Sequence, residues 1–125
     1  MSWRLWLLLA ALSGLTAVVA GAYGAHGLQS DAHLREAFKT GVLYQLIHAL
    51  ALLAVAWLAS RPETKSATPV HLAGIAFAAG ILLFSGSLYV FGLTGRIPIT
   101  GAAPVGGGCF MLGWAALAWT AVRHR

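Results

Sequence analysis

The chain has 125 residues, of which 59% are hydrophobic and only 9% charged, with a net charge of +5. A soluble domain carries about a quarter charged residues, and a core this small could not hide so much apolar surface, so a soluble globule is excluded. The basic residues are scattered over connections and termini, with no stripe and no interleaved aromatics, which excludes a nucleic-acid surface.

All eleven Lys, Arg, Asp and Glu residues lie outside four apolar runs: Leu5–Ala25, Thr40–Ser60, Val70–Gly92 and Ala102–Val122. About 20 apolar residues at ~1.5 Å rise cross the ~30 Å hydrocarbon layer. In lipid only helices and closed barrels satisfy the backbone. A barrel needs alternating polarity, which these runs lack. The prediction is an all-α integral membrane protein, one domain over residues 1–125, folded as a four-helix up-and-down transmembrane bundle.

The first run, which follows Arg4, is longer than the ~7–15-residue apolar region of a signal peptide and is read as a retained transmembrane helix. The first connection, His26–Lys39, is polar. Ser30-Asp31 has the character of a helix start, and Asp31 and Arg35 form an opposite-charge i,i+4 pair. Leu34, Ala37 and Phe38 share a face, which predicts a short interfacial helix leading into the second span. The second connection, Arg61–Pro69, holds two prolines and reads as a turn. The third, Leu93–Gly101, contains Gly95, Arg96 and Pro98. Pro104 and Gly106-Gly107-Gly108 then predict an irregular entry to the fourth span. The single cysteine, Cys109, excludes an internal disulfide and a thiolate metal cluster.

Basic residues set orientation. Arg4, Arg61, Lys65, Arg123 and Arg125 share one side, and Arg35, Lys39 and Arg96 the other. Five against three places both termini in the cytoplasm. Trp3, Trp6, Trp57 and Trp119 fall at one set of helix ends and Tyr23, Tyr44 and Tyr89 toward the other, which fits the interfacial preference of both residue types.

Uncharged polar groups gather in the half away from the termini. Tyr23 and His26 end the first span; Thr40, Tyr44, Gln45 and His48 open the second; Ser85, Ser87 and Tyr89 close the third; Thr100 precedes the fourth. Tyr44 and His48 are i,i+4, Gln45 and His48 i,i+3, and Ser85 and Tyr89 i,i+4, so each pair shares a face. Polar side chains in lipid face the bundle interior or a cavity. They serve either as interhelical hydrogen bonds or as a ligand site made of Tyr23, His26, Tyr44, Gln45, His48, Ser85, Ser87 and Tyr89. His48 is the one imidazole well inside a span. His26, His33 and His48, with Asp31 or Glu36 nearby, lack the tight spacing of a zinc motif, so no metal or cofactor is expected. Small-xxx-small pairs at Ala17/Gly21, Ala76/Gly80 and Ala102/Gly106 predict close helix approach.

Several segments carry a family resemblance. They are Gly21-Ala22-Tyr23-Gly24-Ala25-His26-Gly27-Leu28, Thr40-Gly41-Val42 with Tyr44-Gln45 and His48-Ala49-Leu50, Gly80-Ile81-Leu82-Leu83-Phe84-Ser85-Gly86-Ser87-Leu88-Tyr89, and Pro104-Val105-Gly106-Gly107 leading to Gly113-Trp114. In this order and spacing the chain resembles the DUF423 or UPF0382 family of small four-span membrane proteins, a group related to the eukaryotic transmembrane protein 256. One departure is visible: the family pattern joins Ile-Thr directly to Pro, whereas here Gly101-Ala102-Ala103 separate Ile99-Thr100 from Pro104. The resemblance implies an integral membrane protein with a retained first helix and implies no reaction. The combined expectation is a multi-pass bacterial inner-membrane protein that acts as a non-enzymatic binding or accessory module. Its partners would be membrane lipids, a small hydrophobic ligand, a partner membrane protein or a second copy, and not nucleic acid. The alternatives are a small oligomeric transporter or channel and, behind it, an intramembrane lipid-modifying enzyme.

Overall fold

The computed structural model describes residues 2–28 and 31–123. Helix α1 runs Trp3–His26, α2 Ala32–Ser60, α3 Thr68–Gly80, α4 Gly86–Thr94 and α5 Ala102–Arg123. A π-helical turn, Ile81–Ser85, joins α3 to α4 without a break, so Thr68–Thr94 is a single span. Among the described residues four helices are thus long and apolar enough to cross a membrane, and each contains one of the expected apolar runs. The protein is an all-helical, four-span membrane protein.

The ends of the helices follow local chemistry. The Asp31 carboxylate accepts the Leu34 N–H at 2.9 Å and caps α2; Ser30 lies outside the described residues. The expected interfacial helix is not separate from the second span. Helix α2 continues through 29 residues, ~43 Å at 1.5 Å per residue, and outruns a ~30 Å hydrocarbon layer. No Gly or Pro interrupts its first nine residues. Phe38 pins this stretch in place: a Cβ added at Gly24 or Gly92 would come within 3 Å of the Phe38 side chain. The fourth span also departs from expectation, because α5 is regular from Ala102 onward. Pro104 falls in its first turn, where a missing N–H leaves no bond unmade. Gly95 at φ 73° and Gly101 at φ 88° turn the chain on either side of the third connection, in a region where glycine carries no steric penalty.

The spans are arranged around a central pair, α2 and the third span. Helix α1 lies along α2, α5 lies along α3 and the π turn, and α1 and α5 make no more than marginal contact. The third span changes partner along its length. Helix α3 packs chiefly on α5, whereas α4 packs chiefly on α2 and barely touches α5. Close approach depends on rings seated over glycines: Trp6 over Gly74, Phe77 over Gly113 and Phe110 over Gly80. Of the expected small pairs, Ala76/Gly80 takes part through Gly80, Gly106 of the Ala102 pair lies against Phe84, and Gly21 of the Ala17 pair faces Val42; Ala17, Ala76 and Ala102 are all buried. Trp6, Leu52, Val55, Val70 and Phe77 build an apolar core in the half nearer the termini. The other half combines the Phe38 packing with polar contacts.

Candidate functional site

Gln45 stands near the midpoint of α2 and is 5% exposed. Its amide nitrogen donates to the Ser13 carbonyl at 2.8 Å and to the Thr16 hydroxyl at 2.7 Å, both on α1. Its amide oxygen accepts the Tyr89 hydroxyl from α4. One side chain therefore ties three helices, with each of its polar atoms bonded. In lipid such a bond is worth roughly 0.6 to 1.7 kcal/mol. A double-mutant cycle of Gln45→Leu and Tyr89→Phe, read by unfolding in micelles, is expected to give a coupling of about 1 kcal/mol; additive losses would mean the two side chains do not meet.

The same residues floor a groove between α1 and the third span. Its volume is about 290 Å³, and its lining includes Leu9, Leu12, Ile81, Leu82 and Gly86 as well as Ser13, Thr16, Gln45 and Tyr89. Leu12 is 48% and Leu82 75% exposed, so the mouth faces the bilayer rather than either aqueous side. A Cβ added at Gly86 would meet nothing within 4 Å.

His48 faces a different gap, between α2 and α5. It is 3% exposed. Its Nε2 accepts the Trp114 indole N–H at 3.0 Å, and its Nδ1 lies 2.7 Å from the Tyr44 carbonyl. An indole nitrogen only donates and a carbonyl only accepts, so this network assigns the hydrogen to Nδ1. The ring stacks on Phe110 with centroids 3.6 Å apart and planes 7° apart; Phe77 and Trp114 close the cluster from other sides. Tyr44 joins through its ring, which stacks near Phe110 and tilts against Phe84. A second Trp–His pair sits in the half nearer the termini. There Trp6 donates to His71 Nδ1 at 3.1 Å, and His71 Nε2 meets the Lys65 carbonyl at 2.8 Å. The two histidines thus hold opposite tautomers, each fixed by a tryptophan.

The eight residues singled out from the sequence do not share one pocket. Gln45 and Tyr89 meet on the groove floor. His48 and Tyr44 join the aromatic cluster. Ser85 is fully buried and donates to the Gly41 carbonyl at 2.7 Å, fastening the π turn to α2. Ser87 donates to Leu83 within its own span at 2.6 Å and lines a separate groove of about 350 Å³ that opens where α4 leaves α5. Tyr23 and His26 are exposed at the end of α1, with the Tyr23 ring against Phe38. A wider groove, about 630 Å³ between the far ends of α3 and α5, contains none of the eight and carries Arg123 at one end.

Three partners escaped the sequence reading. Ser13 and Thr16 are an i,i+3 polar pair in the middle of an otherwise apolar span, a signal that was available. Trp114 lies in mid-helix, away from the interfaces where tryptophan collects, and an indole N–H at the depth of the hydrocarbon layer calls for an acceptor.

The family described as "Protein of unknown function (DUF423)" matches residues 20–107. The UPF0382 membrane protein YwdK of Bacillus subtilis (strain 168) is 41% identical over 97% of this chain and 98% of its own length. A UPF0382 membrane protein of Haemophilus influenzae is 40% identical, covering 96% and 95%. The UPF0382 inner membrane protein YgdD of Escherichia coli (strain K12) is 36% identical, covering 98% and 93%. No solved structure matches the chain.

Proposed function

The chain belongs to the DUF423 family of membrane proteins, and on that premise we propose that it is a non-enzymatic binding module for a small amphiphile dissolved in the bilayer. The observation that carries this reading is the Gln45 junction: a buried amide, bonded at both its nitrogen and its oxygen, on the floor of a groove whose mouth faces lipid. At about 290 Å³ the groove lies at the small end of ligand sites, so it would take a head group and the first carbons of a chain and leave the rest among the lipids. A binding role rather than catalysis is supported by where the polar atoms go. Those of Gln45, Tyr89 and Ser85 go to bonds between helices, and no carboxylate lies in any of the four apolar runs to serve as acid or base. His48 takes a structural part in this reading, with both ring nitrogens occupied. By likeness to YgdD the protein resides in a bacterial inner membrane. The five-to-three bias of basic residues puts both termini in the cytoplasm and the Tyr23 end of α1 outward.

Native mass spectrometry of gently extracted protein, wild type beside Gly86→Leu, tests the proposal. Leucine at this position fills the groove without meeting a neighbour at its Cβ and is a better helix former than glycine, so the variant should fold. A defined adduct held by wild type and lost from Gly86→Leu is the expected result. An adduct held equally by both, or none on either, overturns it.

A further inference from the structure

We infer that the ligand of the α1–third-span groove is a neutral amphiphile headed by a hydroxyl group. The inference rests on the binding reading above and follows from a count of hydrogen-bonding capacity on the groove floor. Gln45 has two amide hydrogens, and both are committed to α1. Tyr89 has one hydroxyl hydrogen, given to Gln45. Thr16 has one, directed at the Leu12 carbonyl at 2.9 Å. What these three leave open is lone pairs: one on the Gln45 oxygen, one on the Tyr89 oxygen and one on the Thr16 oxygen. A ligand meeting this floor must therefore bring a donor. Ser13, also in the lining, is the exception among the described residues, because its hydroxyl can turn to donate or accept.

Several head groups fail this test. A carboxylate or phosphate brings acceptors alone and faces the lone pairs of Gln45 and Tyr89. It also brings a charge, and no Lys or Arg lies in any of the four apolar runs to balance it; an unpaired charge at that depth is costly. An ammonium brings donors but meets no carboxylate. A ketone, ester or ether only accepts, and can use the Ser13 hydroxyl and nothing else. A hydroxyl donates once and accepts, which matches an acceptor-rich floor with one adjustable donor. The walls fix the rest of the molecule: Leu12 and Leu82 flank a mouth that opens sideways into the bilayer, so the body of the ligand is aliphatic and enters from the lipid phase.

The test uses full-length protein in phosphatidylcholine vesicles and two probes, hexadecanol carrying a diazirine near its head and the methyl ether of the same compound. The proteins are wild type, Gly86→Leu and Tyr89→Phe. The expected result is saturable labelling of α1 and the third span by the alcohol. This labelling should fall by about tenfold for the ether, the equivalent of one lost hydrogen bond, and to background in Gly86→Leu. Tyr89→Phe removes the Tyr89 oxygen but frees the Gln45 lone pair that its hydroxyl held, so the floor keeps its acceptors and the gap between the probes should persist. Equal labelling by alcohol and ether, abolished in both cases by Gly86→Leu, would overturn the hydroxyl rule and leave the groove as a binding site. No Gly86-sensitive labelling by either probe would overturn the inference as well, and the native mass spectra then decide whether the binding reading falls with it.

Discussion

Gly106→Val is expected to destabilise the fold by about 3 kcal/mol, at the upper end of the usual cost of overpacking, and to lower the unfolding midpoint in micelles accordingly. A Cβ at position 106 would collide with the backbone nitrogen of Phe84, and would stand 2.8 Å from its Cβ and 2.9 Å from its Cα. These are atoms of the π turn, and no rotamer change moves them aside. The helices would have to separate, and with them the edge-to-face contact of Phe84 with Phe110, whose centroids lie 5.6 Å apart. Gly107→Ala and Gly108→Ala are the controls. A Cβ at either position meets nothing within 4 Å, so both should be neutral or gain up to ~1 kcal/mol from helix propensity. An unchanged midpoint for Gly106→Val would show that α5 does not approach the third span so closely. A loss at 107 or 108 equal to that at 106 would show that the outer face of α5 is covered by something in the membrane.

His48→Ala is expected to cost about 3 kcal/mol, by analogy with truncation of a buried ring. It empties the space between Phe110 and Phe77 and leaves the Trp114 N–H without its acceptor. His48→Phe separates the two losses. It keeps a ring stacked on Phe110 and gives up only the bonds, so it should cost about 1 kcal/mol. Equilibrium unfolding of the three proteins in micelles reads the difference. If His48→Phe loses as much as His48→Ala, the hydrogen bonds rather than the stack hold α5 to α2. If neither variant loses stability, the aromatic cluster is not a structural joint.

The spans were legible because their limits are set by charge. Arg4 stands before the first run, Lys39 before the second, Arg61 after it and Arg123 after the fourth; the start of α1 and the ends of α2 and α5 lie close to those marks, whereas α2 begins well before Lys39. The continuous start of α2 was not legible. Whether a polar stretch breaks from a following helix depends here on Phe38, held between Gly24 and Gly92, and such an arrangement of residues distant in the chain leaves no periodic trace. The site was half legible. Gln45 and His48 read as one face because i,i+3 residues are neighbours. The offset between them, about 60° at 3.6 residues per turn, is enough to send one toward α1 and the other toward α5. Ser13 and Thr16 were legible from their polarity alone. The π turn was not, since Ile81-Leu82-Leu83-Phe84-Ser85 has no proline and reads as ordinary helix.

That turn acts as a phase shifter. One extra residue in a helical turn rotates everything beyond it by about 100°, one residue's share of a 3.6-residue turn. Before the shift the third span aims Phe77 at α5; Ser85, the last residue of the turn, and Tyr89 beyond it are aimed at α2. A single rod thereby keys into two partners that a uniform helix would have to meet along one stripe. Its two halves are clocked separately, so the angular setting of the groove floor is independent of the aromatic joint below it.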